Sequence, residues 1–193
     1  MKDYLKQKWP EIIALGLISG LLLFVQPQIT FSKKSLAPVK PVTSVAANIP
    51  LRLEIPVLKI NTKIESVGMT PQGAMGIPKN INDVAWFNLG PRPGDQGSAV
   101  IAGHLDWYGG LTAVFGNLSK LKPGDKMSVK NSAGQSITFA VRESRTYATD
   151  ADATPIFTSA GGAHLNLITC AGVWDKSQHR YTKRLVVFTD LLP

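Results

Sequence analysis

From Leu51 onward the chain is a succession of short apolar segments broken at close spacing by glycine, proline and asparagine, a texture that points to an all-β domain. Leu51-Arg52-Leu53-Glu54-Ile55 alternates apolar and polar residues with the period of a strand. Residues 57–69 read as one or two strands around Asn61, and further strands are expected over 84–87, 98–103, 126–130, 136–142, 165–170 and 184–190. In Ile137-Thr138-Phe139-Ala140-Val141 the larger apolar side chains share one face, as in a half-buried strand. Lys122-Pro123-Gly124-Asp125 has proline and glycine in the order of a type II turn. The one internal helical candidate is 112–121, where Val114, Phe115, Leu118 and Leu121 share a face behind Thr112 as N-cap. About eight strands with one or two short helices predict a closed or nearly closed β-barrel.

The N-terminal quarter has a different character. Residues 12–25 are apolar and uncharged and come after Lys2, Lys6 and Lys8. That run alone is short for a membrane span, but with its flanks from Trp9 to Ile29 it reaches about 21 residues, roughly 30 Å as a helix. No small-x-small cleavage site comes directly after it; the nearest, Ser44-Val45-Ala46, lies beyond several prolines. The expectation is therefore a cytoplasmic tail over 1–8, an uncleaved transmembrane signal anchor over 9–29 with Trp9 at the interface, a proline-rich linker over 30–50 and a barrel over 51–193. Lys33, Lys34 and Lys40 balance the N-terminal lysines, so orientation rests on the very short tail, which favours a single pass with the domain on the extracytoplasmic face.

The formal net charge of +8 raises the question of nucleic acid. The basic residues are scattered instead of striped between aromatics, and no DNA- or RNA-binding signature is present. A basic surface beside an anionic envelope accounts for the charge, as does a merely soluble basic surface.

The chain has 193 residues and one cysteine, so no intrachain disulfide can form and the fold must be held by burial. Cys170 closes the apolar run His164-Leu165-Asn166-Leu167-Ile168-Thr169 and is followed at once by Ala171-Gly172. His104 follows Ser98-Ala99-Val100-Ile101-Ala102-Gly103, and Arg184 opens Arg184-Leu185-Val186-Val187-Phe188. A thiol acyl-transferase needs a nucleophile presentable as thiolate, a group to protonate the departing amine, and a donor for the oxyanion. Cys170, His104 and Arg184 supply one of each. Each also has a plain alternative: a small core thiol, a turn histidine and a solvated strand-edge charge. Of the other histidines, His164 begins the cysteine's own strand, about 20 Å from the thiol in extended chain. His179 sits in the polar stretch Lys176-Ser177-Gln178-His179-Arg180, suited to a mobile loop.

Leu167-Ile168-Thr169-Cys170 resembles the Thr-Leu-x-Thr-Cys box of sortases, the membrane-anchored cysteine transpeptidases of bacterial envelopes, with Asn166 in place of the first threonine. The segment Gly94-Asp95-Gln96-Gly97-Ser98-Ala99-Val100-Ile101-Ala102-Gly103-His104-Leu105-Asp106 resembles the one carrying the sortase histidine, and Tyr181-Thr182-Lys183-Arg184-Leu185-Val186-Val187 the one carrying its arginine. Residues 67–75 share the family's look, and the compact domain with His-Leu-Asp is similar to class F members, with classes E and D close behind. The resemblance implies an eight-stranded barrel that cuts a Leu-Pro-x-Thr-Gly sorting signal between Thr and Gly and passes the acyl group to an envelope amine.

On that resemblance Cys170 forms the thioester, His104 protonates the leaving glycine amine and later deprotonates the acceptor, Arg184 binds the carbonyl or oxyanion, and Thr169 helps in the same role. The implied partners are secreted proteins with a C-terminal sorting signal, an amine acceptor such as a peptidoglycan precursor or pilin lysine, and the membrane. No cofactor is implied. Asp106, two residues past His104, is a candidate triad orienter or an edge aspartate beside Trp107. Asp150 and Asp152 with Glu143 upstream are too sparse for a calcium shell, and no Cys/His cluster offers a zinc site. Two other functions fit the same scaffold: a thiol peptidase that only hydrolyses, and a non-catalytic barrel that binds wall polymer. An L,D-transpeptidase is disfavoured because its His-Gly-Cys-type box is absent.

Overall fold

The computed structural model describes residues 48–159 and 161–193. The expected signal anchor over 9–29, the tail before it and nearly all of the linker lie outside these residues. Among the described residues no helix is long and apolar enough to cross a membrane.

Ten strands are described, in chain order β1 (Pro50–Ile55), β2 (Ile60–Val67), β3 (Val84–Phe87), β4 (Gly97–Gly103), β5 (Asp106–Trp107), β6 (Leu111–Thr112), β7 (Lys126–Asn131), β8 (Ser136–Ala148), β9 (Ala163–Asp175) and β10 (Arg180–Leu191). Eight of them close a barrel in the order β1-β2-β3-β4-β9-β10-β8-β7, with β7 returning to β1, while β5 and β6 form a separate two-stranded ribbon. The all-β expectation and the eight-stranded barrel are therefore met. Two neighbouring pairs, β2–β3 and β4–β9, run parallel; the remaining barrel pairs are antiparallel.

Side-chain alternation gives the sheet two apolar faces. Leu53, Ile55, Val84, Ile101, Phe115, Met127, Val129, Phe139, Leu165, Leu167 and Val187 fill the barrel interior. A second, smaller cluster of Val100, Ile156, Val186 and Phe188 lies on the outer face of β4, β9 and β10, joined by Met75, Phe157 and Ile168. It is covered by α1 (Thr154–Phe157), the single α-helix among the described residues. Asn166, buried on that outer face, donates from Nδ2 to the carbonyl of Ile156 at 2.6 Å, and Ser98 bonds Ser159 through their hydroxyls at 3.0 Å. These two bonds fasten the α1 segment to the strands beneath it.

The helix expected over 112–121 is not formed. Residues 111–112 are β6, and residues 113–121 form a chain of turns, with Gly116 N bonded to Ala113 O, Leu118 N to Phe115 O and Leu121 N to Leu118 O. The apolar residues of the segment are buried as the periodicity implied, but by a tighter coil. Its start is claimed by other partners: the Ala113 and Phe115 amides bond the carbonyls of Leu105 and His104. Phe115 lies directly on Gly103, where an added Cβ would stand 2.5 Å from the ring. The turn at 122–125 is of the expected kind, with Gly124 at φ 91° and Asp125 N bonded to Lys122 O at 3.0 Å.

β9 and β10 run further than their apolar cores suggested. β9 continues past Cys170 through a bulge in which Gly172 and Val173 together face Thr182, since Ala171 pairs with Lys183 and Trp174 with Tyr181. Gly172 has φ 80°, and a Cβ there would meet the Thr182 hydroxyl at 2.5 Å, so the bulge requires glycine. Arg184 accordingly lies inside β10 instead of opening it.

The Gly103–Phe115 contact carries a prediction. Gly103→Ala overpacks a buried ring at the end of β4 and is expected to cost about 1–3 kcal/mol of stability, read from the urea midpoint; an unchanged midpoint would show that Phe115 yields freely.

Candidate active site

Register brings the three predicted side chains to one level. In the parallel pair, Val100 stands opposite Asn166 and Ala102 opposite Ile168; His104, just beyond the end of β4, and Cys170 each come two residues after this last pair. In the antiparallel pair, Cys170 stands directly opposite Arg184. Directly opposed residues share a face, and alternation puts His104, Cys170 and Arg184 on the outer face with Val100, Ile168 and Val186. With strands about 4.8 Å apart, three neighbouring strands deliver an imidazole, a thiol and a guanidinium to one spot.

That spot is a cavity of about 470 Å³ bordered by His104, Thr169, Cys170 and Arg184, with Met75, Ile77 and Pro78 along one side, Ile156 and Phe157 of α1 along another, and Trp174, His179 and Tyr181 at the β9–β10 end. Its lining is mostly apolar, with a few convergent polar groups, as expected of a site that buries part of an extended ligand.

Cys170 is half-buried and its thiol is free. Burial pushes the thiol up, Arg184 opposes that by favouring the thiolate, and Asp106 adds to the upward push. Arg184 is held by backbone: Nη1 donates to the carbonyls of Lys183 at 2.9 Å and Tyr181 at 3.1 Å. His104 Nε2 lies 2.9 Å from the carbonyl of Pro78, which can only accept, so Nε2 carries the proton and Nδ1 of the neutral ring is the basic nitrogen. Trp107 stands edge-on to the His104 ring, with centroids 5.1 Å apart. Thr169 is buried, and its Oγ1 has no hydrogen-bond partner among the described residues.

Of the remaining sequence candidates, His179 borders the cavity from a turn and the others do not line it. Asp106 makes no described bond to His104; it accepts from the Tyr181 hydroxyl. His164 bonds Asp190 through Nδ1 at 2.7 Å and Gly161 O through Nε2 at 2.6 Å, far down β9 from the thiol. His179 lies in a turn at φ 51°, organised by Asp175, which accepts from the Ser177 amide and hydroxyl and the Gln178 amide. Glu143 pairs with Arg145 and Asp152 accepts from the Thr154 amide at the start of α1, so these carboxylates have other work. No cluster of three or more His, Cys, Asp or Glu able to hold a metal occurs among the described residues. Two participants were missed from the sequence: Tyr181, whose partner is 75 residues away, and Asn166, whose hold on α1 shapes the cavity wall.

A model of the sortase domain matches residues 53–192. The chain belongs to the sortase family. Among solved structures it is similar to sortase C1 from Streptococcus agalactiae, at 21% identity and a TM-score of 0.58 over 78% of this chain and 70% of that one. It is similar also to sortase C-1 from Actinomyces oris, at 20% and 0.55 over 75% of each chain, and to a lid mutant of sortase A from Corynebacterium diphtheriae, at 16% and 0.57 over 76% and 72%. At these identities the likeness is one of fold. No curated protein matches the chain.

Proposed function

We propose that this sortase is a cysteine transpeptidase that cleaves a Leu-Pro-x-Thr-Gly-type sorting signal through a thioester on Cys170 and hands the acyl group to an envelope amine. The observation that carries the reading is one cavity bordered by His104, Cys170 and Arg184, with Cys170 directly opposite Arg184 in register.

In the first half-reaction the Cys170 thiol passes its proton to Nδ1 of His104 and the sulfur attacks the threonine carbonyl carbon, forming a C–S bond and a tetrahedral oxyanion. Arg184, its guanidinium steadied by two carbonyls, takes that oxygen; the Thr169 hydroxyl, on the interior face of β9, does not face it. Collapse breaks the C–N bond, and His104 delivers its proton to the departing glycine amine. In the second half-reaction His104 takes a proton from the acceptor amine, which attacks the thioester; the C–S bond breaks, and the departing sulfur takes the proton back from His104 as the thiol is restored. With Nε2 engaged by Pro78, Nδ1 is the nitrogen through which the proton passes. The His104-Leu105-Asp106 motif and the compact domain favour a class F-like enzyme.

Lysine at position 184 keeps the charge and loses the planar fork. Arg184→Lys is expected to lower kcat/KM by on the order of 10²-fold, and Arg184→Ala by more, with the fold retained in both. The assay uses a sorting-signal peptide with and without an amine acceptor. Full rescue by lysine would reduce the arginine to a field effect on the thiol, and cleavage unaffected by the amine would favour the hydrolytic peptidase.

We place the chain in the cell membrane, anchored once by residues 9–29 with its domain on the extracytoplasmic face, because lysines lead the apolar run and the substrates are wall-side. Protease added to wall-stripped cells should digest the domain; a protected domain would reverse the orientation.

A further inference from the structure

The hydrogen bond from the Tyr181 hydroxyl to Asp106 joins the β5–β6 ribbon to the β9–β10 hairpin, whose end borders the cavity. On one side of the bond the β5–β6 ribbon carries Asp106 and Trp107, and Trp107 makes a T-shaped contact with the His104 ring. On the other, the β9–β10 hairpin beyond the Gly172 bulge carries Tyr181, whose ring meets Trp174 at 5.3 Å and whose own carbonyl holds the Arg184 guanidinium. One residue, Tyr181, therefore grips Asp106 with its side chain and Arg184 with its backbone. The Tyr181 hydroxyl is pushed up to about 12, chiefly by that bond to Asp106, so it keeps its proton and remains a donor through the physiological range.

We propose that Asp106 and Tyr181 form a latch between the β5–β6 ribbon and the β9–β10 hairpin, a pair of positioning residues that hold the Arg184 guanidinium and the His104 ring in place around Cys170. This rests on the reading of Cys170 as nucleophile. The latch explains why Asp106 lies next to the histidine in sequence without a described bond to it: its partner is Tyr181 on the β9–β10 hairpin. It also gives Asp106 an electrostatic role, because its charge opposes the thiolate that Arg184 favours. The ionisable groups around the thiol are His104 after β4, Asp106 on β5, Arg180, Tyr181 and Arg184 on β10, and His179 in the turn.

The full chain has one cysteine, so iodoacetamide labelling reports Cys170 alone. Labelling rate against pH and peptide-cleavage kinetics are measured for wild type, Tyr181→Phe, Asp106→Asn and, as a reference for loss of the cation, Arg184→Gln. Tyr181→Phe removes the latch and leaves the ring. Its kcat per titrated thiol is expected to fall about tenfold with KM within about twofold, the scale of one charge-assisted hydrogen bond. Its labelling midpoint should move to higher pH, in the direction of Arg184→Gln, as the guanidinium is released. Asp106→Asn keeps an acceptor for Tyr181 and removes the negative charge, so its midpoint should move the opposite way, to lower pH.

Opposite shifts support the latch, because a merely structural loss would lower Tm and leave both midpoints in place. Wild-type kcat in Tyr181→Phe, or an unshifted midpoint in either latch variant, overturns it. Should wild type itself fail to cleave peptide, the reading of Cys170 falls, and the labelling arm still decides whether the latch positions Arg184.

Discussion

The site exists because β4 and β9 pair in parallel. Parallel strands cannot be joined by a tight hairpin, so the chain travels through the β5–β6 ribbon, β7, β8 and α1 before β9 returns beside β4. That long excursion leaves two strands pointing the same way, each ending its paired stretch at the same height. A one-residue slip would turn Cys170 into the barrel and bring Thr169 out, because side chains alternate with period two. The interior prevents it: Leu165 and Leu167 of β9, Ile101 of β4 and Val187 of β10 are all fully buried in one cluster. The packing that stabilises the barrel is thus also what aligns the outer-face residues.

That outer face is unusual in being apolar where a barrel wall would meet water. Ile168 lines a cavity whose wall, α1, packs on Val100 and Val186, is too short to be stable by itself and is held by Asn166 and Ser98. Burying the thiol there has an electrostatic consequence. Desolvation favours the neutral form, so Cys170 is held as thiol against the pull of Arg184 and with the help of Asp106. On the proposed chemistry the balance among these three charges sets how readily the nucleophile is formed, and the Asp106–Tyr181 bond couples that balance to the shape of the cavity.

Much of this was legible in the chain. Alternation over 51–55 and 137–141 marked strands with one buried face, and Cys170, His104 and Arg184 stood out because each lay at the edge of an apolar run; the structure brings all three to one cavity. What was not legible involves partners distant in sequence. The 112–121 segment has a helical pattern, yet its amides are taken by the strand-end carbonyls of His104 and Leu105 and its ring by Gly103. β9 looked finished at Cys170 because Gly172 reads as a breaker, whereas at φ 80° it makes a bulge that lets the strand continue. The Asp106–Tyr181 bond left no local trace, and Asn166 lay within a recognisable motif without any sign that it would secure α1.

The proposed chemistry turns on acylation of Cys170 by a sorting signal. Intact-mass spectrometry of the chain incubated with a Leu-Pro-x-Thr-Gly peptide, quenched in acid and mapped by proteolysis, tests it without reference to any acceptor. The expected result is a mass increase equal to the peptide's acyl portion through threonine, confined to the Cys170 fragment, released by hydroxylamine and absent in Cys170→Ala. Cleavage of the peptide by Cys170→Ala, or an adduct that survives in it, would contradict the assignment.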